Sequence, residues 1–232
     1  MRIHRQPDEL RPVRMQKNFT ETNGGSVLIS CGKTSVLCTA LLESGVPPFL
    51  IGSGKGWLTA EYAMLPSSTG TRKRRETLKP DGRSTEIQRL IGRSLRHAVD
   101  LSKLGENTVY IDCDVLQADG GTRTASISGA YVALALGIER WLSEGRLNEN
   151  PLVHQVAAVS VGIVDDVPLL DLCYKEDSAA QIDMNLVMDE SGSFIELQGT
   201  GERRAFTPDE LNSLLALGKK GISELMRLQR ES

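Results

Sequence analysis

The decapeptide Gln117-Ala118-Asp119-Gly120-Gly121-Thr122-Arg123-Thr124-Ala125-Ser126 packs two glycines, one arginine and three hydroxyls into a short span. Glycines let backbone N–H groups approach a ligand, and a helix starting just after them adds the positive end of its dipole. Arg123 offers a fork of donors that matches phosphate oxygens, and Thr122, Thr124 and Ser126 offer hydroxyls. The segment reads either as an anion site suited to phosphate or as a plain strand-to-helix turn whose hydroxyls cap the helix. It is not a Walker loop, because the Gly-Lys-Ser/Thr ending is absent.

A second group is acidic. Glu176 and Asp177 precede an apolar run that Asp183 enters, and two of these carboxylates on one Mg²⁺ would satisfy an ion that takes its remaining oxygens from phosphate. The alternative is a solvated turn with capping aspartates. Asp112 and Asp114 alternate on one strand face and either reach the same place or sit at a sheet edge. The third group is basic. Arg72, Lys73, Arg74, Arg75, Lys79, Arg83, Arg89, Arg93 and Arg96 face only Glu76, Asp81 and Glu86, in a chain whose net charge is −3. Such a local field suits a phosphodiester backbone, with a solvated face or a subunit contact as the other readings. Phe49 and Trp57 flank a Gly-rich loop and are among few aromatics able to stack on a base. Arg96 and His97 are placed equally well to serve packing. The histidines His4, His97 and His154 sit in unrelated contexts, and no Ser-His-Asp arrangement is visible.

Periodicity supplies the elements that must hold these groups. Residues 27–31 and 34–39 read as a hairpin turning at Gly32-Lys33, and 57–65 as a strand ended by Pro66. Residues 67–82 carry no apolar period and read as a mobile loop. Thr85 and Gln88 have capping-box spacing, which predicts a helix from about Ser84, with Gly105 as the residue past its end. Val109, Ile111, Cys113 and Val115 alternate with Tyr110, Asp112, Asp114 and Leu116 as in a strand, and a helix over 124–142 follows. Strands are predicted over 156–164, 167–174, 182–188 and 194–198. Thr207, Pro208 and Glu210 mark the start of a last helix. The alternation of strands and helices implies an α/β (α+β) protein of two packed layers. Its organisation is a first part over 1–150 and a second over 151–232.

Composition limits the class. The 232 residues are 40% hydrophobic and 25% charged, so a large core forms without disulfides or metal, and at 4% aromatic that core is aliphatic. Cys31, Cys38, Cys113 and Cys173 are scattered through apolar stretches and read as small buried hydrophobes. No apolar run reaches the ~18–20 residues of a membrane span, and the N-terminal residues do not resemble a secretion signal. The expectation is a soluble, cytoplasmic protein.

Several of these segments, read together, are recognisable. Gly56-Trp57-Leu58-Thr59-Ala60-Glu61-Tyr62, Glu86-Ile87-Gln88-Arg89-Leu90-Ile91-Gly92-Arg93, the run from Asp112 to Ser126, Glu176-Asp177-Ser178-Ala179-Ala180 and Asp183-Met184-Asn185 resemble the bacterial ribonuclease PH family. The likeness runs from Leu10-Arg11-Pro12 to the C-terminal helix, with Ser67 standing after Pro66 where the family usually has arginine.

The resemblance implies a unit like domain 2 of ribosomal protein S5, with a smaller second α/β part. It implies a phosphorolytic 3′-to-5′ exoribonuclease, formally a nucleotidyltransferase, that trims transfer RNA precursors beyond the 3′ CCA end with inorganic phosphate. The products are nucleoside diphosphates, the reverse reaction adds nucleotides, and ribosomal RNA precursors are further substrates. In residues, the resemblance implies phosphate contacts by Arg83, Gly121, Thr122 and Arg123. It implies catalysis and Mg²⁺ binding by Asp177 and Asp183, and RNA binding by Arg72, Lys73, Arg74, Arg75, Arg89 and Arg93. The implied assembly is a hexameric ring built as a trimer of dimers. The competing expectation is a catalytically silent ring subunit that only binds RNA, in an exosome-like assembly.

Overall fold

Alternation of apolar and polar side chains builds the first sheet. Its strands are β1 (Val13–Lys17), β2 (Gly25–Cys31), β3 (Thr34–Ser44), β4 (Trp57–Met64) and β5 (Asn107–Gln117). Val36, Cys38, Ala40 and Leu42 on β3 and Val109, Ile111, Cys113 and Val115 on β5 turn inward and are buried. The computed structural model describes residue 2 and residues 5–21, 24–75 and 81–232. The sheet order is β1-β2-β3-β5-β4, antiparallel except that β4 runs parallel to β5. Two helices, α1 (Gly82–His97) and α2 (Thr122–Ser143), cover its apolar face.

The second sheet is organised by a strand with no alternation. It comprises β6 (Val156–Val164), β7 (Val167–Leu170), β8 (Ile182–Asp189) and β9 (Phe194–Thr200), in the order β7-β6-β8-β9, all antiparallel. All of β6 before Val164 is buried, because both of its faces are covered. Val156 and Ala158 join the core beneath α2, whereas Ala157, Val159, Val161 and Ile163 pack with residues of α4 (Pro208–Glu231). Each half is thus a two-layer unit, and the two stack through α2. A short helix, α3 (Tyr174–Ala179), crosses between β7 and β8.

Several boundaries differ from the sequence expectation. The cap of α1 is Asp81, whose carboxylate accepts from Ser84 N at 2.7 Å, so the helix starts ahead of Ser84. It stops at His97, where Val99 pairs with Leu152 in an isolated bridge, and Gly105 (φ 60) instead ends a separate 3₁₀ turn, Leu101–Leu104. Residues 67–75 contain no helix or strand but are tied down by Ser68 N to Leu65 O, Lys73 N to Pro66 O and Ala118 N to Ser68 O. Lys79 and the rest of the segment between Glu76 and Pro80 lie outside the described residues, as does His4. Cys31, Cys38 and Cys113 are buried free thiols, and Cys173 is half-buried.

The strand expected over 167–174 breaks at Asp171, which takes a left-handed conformation (φ 55). Its buried carboxylate accepts from Arg11 N (2.8 Å), Nε (2.9 Å) and Nη2 (2.6 Å). Arg11 Nη1 also donates to Asp119 O at 2.6 Å. Arg2 and Arg5 pair with Glu176 at 2.6 and 3.1 Å, which fastens the N-terminal segment across the second half.

Removing one partner of a buried pair strands the other charge. Arg11→Met is expected to cost on the order of 3–5 kcal/mol in urea unfolding, with Arg11→Met/Asp171→Asn recovering a clear part of the loss. A single variant no less stable than the double would refute this role.

Candidate active site

Where β5 ends, two glycines turn the chain into α2. Gly120 (φ 77) and Gly121 (φ 64) both lie in the left-handed region, and a Cβ on Gly120 would stand 2.6 Å from Leu172 O. The loop is thereby pressed onto the chain that follows β7. Thr34 Oγ1 donates to Gly120 O and accepts from Asp119 N, at 2.7 and 2.9 Å. The N-cap of α2 is Gly121, with no side-chain cap, so the N–H groups of the first turn keep their donors for a ligand.

The hydroxyls of Thr124 and Ser126 are spent on the backbone, and that of Thr122 is paired with Tyr62 at the edge of the cleft. The Oγ1 of Thr122 lies 2.9 Å from Tyr62 Oη, Thr124 Oγ1 donates to Gly121 O, and Ser126 Oγ donates to Thr122 O. They brace the turn from inside.

Alternation on β8 brings the acidic group to the same place. Its residues Ile182, Met184, Leu186 and Met188 pack in the core shared with α4. The intervening Asp183, Asn185 and Val187 therefore face the α2 side, where Val187 joins the other core. Asp177 arrives from α3. The result is a cleft of about 280 Å³ lined by Arg83, Gly121, Thr122 and Arg123 on one side and by Asp177, Asp183, Asn185 and Glu202 on the other. It continues into a second lobe lined by Asp177, Asp183, Glu202 and Arg203.

The charges are unevenly matched. Burial pushes the Asp177 carboxyl up, against the pull of Arg83 and Arg123. Burial and the neighbouring Asp177 push Asp183 up to about 6, against Arg123. Arg123 Nη1 donates to Gln198 Oε1 (2.6 Å) and to Glu86 Oε1 (3.3 Å), whereas Arg83 is exposed at the start of α1 and has no hydrogen bond or ion pair with the described residues. Two half-buried carboxylates that resist ionisation make an oxygen donor set suited to a hard divalent cation, which would relieve their repulsion.

The cleft gathers Arg83, Gly121, Thr122, Arg123, Asp177 and Asp183, drawn from both halves. Glu176 is turned away to Arg2 and Arg5 and accepts from Cys173 N at 2.9 Å. Asp112 and Asp114 lie on the open face of the first sheet beside Glu61, on an interior strand, so they neither reach the cleft nor sit at a sheet edge. Arg72, Lys73, Arg74, Arg75, Arg89 and Arg93 do not line the cleft. The chain carries Arg72, Arg74, Arg75, Arg89 and Arg93 exposed, with Arg93 paired to Glu196 at 3.1 Å and Lys73 to Asp81 at 3.7 Å. Arg96 lies over the Trp57 ring at 4.7 Å and donates to Leu58 O, a packing role. Sequence reading missed Asn185, Ser160 and Glu202 as cleft residues and Glu86 with Gln198 as partners of Arg123. Asn185 had a signal, as a polar residue on the same strand face as Asp183.

A carboxyl whose pKa rises from 3.8 to about 6 on folding has no penalty below pH ~4, loses stability progressively as pH rises from about 4 to about 6, and opposes folding by the full amount above that. With chelator present, Asp183→Asn is therefore expected to raise stability at pH 8 by on the order of 2 kcal/mol, and to change it little at pH 3.5. Thermal melts at the two pH values check this, and an equal effect at both would contradict it.

The sequence pattern of the 3′ exoribonuclease family, domain 1, matches residues 9–137, and that of domain 2 of the same family matches residues 154–221. A protein named Ribonuclease PH from Crocosphaera subtropica (strain ATCC 51142 / BH68) is 57% identical over 228 residues, covering 98% of this chain and 95% of its own. Among solved structures, an Archaeoglobus fulgidus exosome with RNA bound to the active site superposes with a TM-score of 0.81 at 25% identity, over 96% of this chain and 90% of that one. An archaeal exosome core gives 0.75 at 23% identity, over 97% and 89%, a likeness of fold. With both domain patterns matched across most of its length and a full-length relative at this identity, the chain belongs to the 3′ exoribonuclease family.

Proposed function

We propose that this chain shortens RNA from the 3′ end with inorganic phosphate as nucleophile, releasing nucleoside diphosphates, and that transfer RNA precursors are among its substrates. The observation that carries the reading is the single cleft in which two arginines and a helix N-terminus stand opposite two carboxylates. A hydrolase must activate water with a placed base or paired metals. Phosphate is already anionic at pH 7 and needs positioning more than deprotonation.

Arg83, Arg123 and the first-turn N–H groups of α2 hold the phosphate dianion in line with the terminal phosphodiester. One phosphate oxygen bonds to the phosphorus, and the bond from phosphorus to the 3′ oxygen of the penultimate nucleotide breaks. That oxygen takes the proton that the attacking hydrogen phosphate gives up and becomes the new 3′ hydroxyl. Asp177 and Asp183, with Glu202 beside them, would hold Mg²⁺, which when bound would supply positive charge to the phosphoryl oxygens. The exchange of one phosphodiester for one phosphoanhydride is close to thermoneutral, so concentrations set the direction and synthesis from nucleoside diphosphates is the reverse. Exposed Arg72, Arg74, Arg75, Arg89 and Arg93, with Lys73, guide RNA by its backbone without reading bases. The likeness to an exosome supports assembly into a multimeric ring, which we take to be a hexamer of this chain; we place it in the cytoplasm. No helix among the described residues is long and apolar enough to cross a membrane.

Digestion of a transfer RNA with a 3′ extension is expected to give nucleoside 5′-diphosphates, and only with phosphate present. Monophosphates released in phosphate-free buffer would overturn the mechanism. Arg83→Ala and Arg123→Ala each remove a charge-assisted contact of about 1.5–3 kcal/mol, so kcat/KM for phosphate should fall roughly 10- to 150-fold with the fold intact. Replacing Arg72, Lys73, Arg74 and Arg75 together by alanine should weaken binding of unrelated RNAs alike and flatten its salt dependence, the oligomer unchanged by sedimentation. A ring that falls apart while RNA affinity per subunit holds would make that stretch an interface instead.

A further inference from the structure

The two histidines in the described residues, unrelated in sequence, meet in space. His97 is the last residue of α1, and Val153 N and His154 N both donate to Ala98 O, which lays the start of the second half against that helix end. The His97 and His154 rings stack with centroids 4.8 Å apart and planes within 15°. Asp189, the last residue of β8, brings its carboxylate to the same point, with Oδ2 3.1 Å from His97 Nε2. One ligand atom from each of His97, His154 and Asp189 lies within 4.8 Å of the others. Ligand atoms about a tetrahedral zinc are roughly 3.3 Å apart, given Zn–N bonds of about 2.0–2.1 Å. The pair at 3.1 Å is already at that spacing, and His97 is exposed enough to turn its ring.

The surroundings orient the donors. Asp189 Oδ1 accepts from Ser191 N (2.9 Å), Ser191 Oγ (2.5 Å) and Ser193 N (3.1 Å), which leaves Oδ2 aimed at His97. Burial works against its charge, but these hydrogen bonds and His97 hold the carboxyl down to about 2, so it is ionised. His154 Nδ1 lies 3.1 Å from Glu190 Oε1, and Glu190 Oε2 is itself fixed by Gln155 N at 2.8 Å. With Nδ1 facing that carboxylate, Nε2 is the nitrogen left for a metal. Metal-binding histidines are oriented in this way.

We propose that His97, His154 and Asp189 form a binding site for a divalent transition metal of the zinc class. It is separate from the Asp177–Asp183 cleft and ties the end of α1 to the β8–β9 hairpin. Two imidazoles and a carboxylate suit zinc, cobalt or nickel, while magnesium prefers an all-oxygen shell. The clamp joins the two halves at the end of α1 opposite Arg83, about 20 Å away along the helix axis. Its effect is to fix α1 against the second sheet.

The full-length protein, stripped with chelator and returned to millimolar Mg²⁺, is titrated with Co²⁺ as a spectroscopic probe. We expect one Co²⁺ per chain, with visible absorption bands that Zn²⁺ abolishes by displacement. Zn²⁺ at about a hundredfold over its Kd should raise Tm by roughly 5–10 °C. His97→Ala, an exposed change whose fold is checked by circular dichroism, and His154→Ala should each lose the bands. Asp177→Asn/Asp183→Asn should keep them. No stoichiometric uptake by the unaltered protein would overturn the proposal. So would bands retained in His97→Ala, or bands lost in the Asp177→Asn/Asp183→Asn variant alone, which would place the metal in the cleft.

Discussion

The buried pair Arg11–Asp171 is the constraint from which the rest of the site follows. One guanidinium grips a carboxylate in the second half and, with its remaining donors, the carbonyl of Asp119 at the end of the first-half loop. Three segments distant in sequence are thereby held at one point: the N-terminal segment, the turn into α2 and the bend after β7. A buried charge cannot lose its partner cheaply, so these segments keep their relation through fluctuations that would loosen a surface contact. Asp171 tolerates its left-handed backbone because aspartate is among the residues least penalised there.

With that relation set, strand geometry does the remaining positioning. Ser160 and Asn185 are register partners, as are Gly162 and Asp183, so β6 and β8 present small or polar residues to the loop where other pairs present Ala158 and Val187 to the core. Glycine at 162 is required by close packing, since a Cβ there would stand 2.5 Å from Ile182 O and 2.7 Å from Leu172 Cδ1, and Ser160 lines the cleft itself. Cations thus come from the first half and carboxylates from the second. Neither half alone holds the whole cleft.

Local signals were legible and long-range ones were not. The β2–β3 hairpin, the alternating β5, α2 and the capping box of α4 are written in near neighbours, and each was read correctly. Gly105 misled because a glycine marks the end of some helical turn but does not say which; the Val99–Leu152 bridge that stops α1 is a contact across 53 residues. The strand over 167–174 failed for the same reason, since Asp171 obeys Arg11, 160 positions away. Hydroxyls at 122, 124 and 126 looked available because sequence does not reveal Tyr62 beneath Thr122. The meeting of His97 with His154 depends on how the halves pack, which no spacing encodes.

The two arginines of the cleft are prepared differently for an anion. Arg123 is largely buried and already held by Gln198 and Glu86, so its orientation is set before any ligand arrives. A side chain ordered in advance loses little rotamer entropy on binding, but the contacts it already makes must be shared or exchanged. Arg83 stands exposed and makes no hydrogen bond or ion pair with the described residues, so no protein partner orders its side chain in advance. One arginine therefore contributes direction, and the other a charge that acts on Asp177 across the cleft without a hydrogen bond to hold it. For the phosphate proposed above, the two together would offset the carboxylates across the cleft, and the uncapped first turn of α2 would add donors that need no reorganisation.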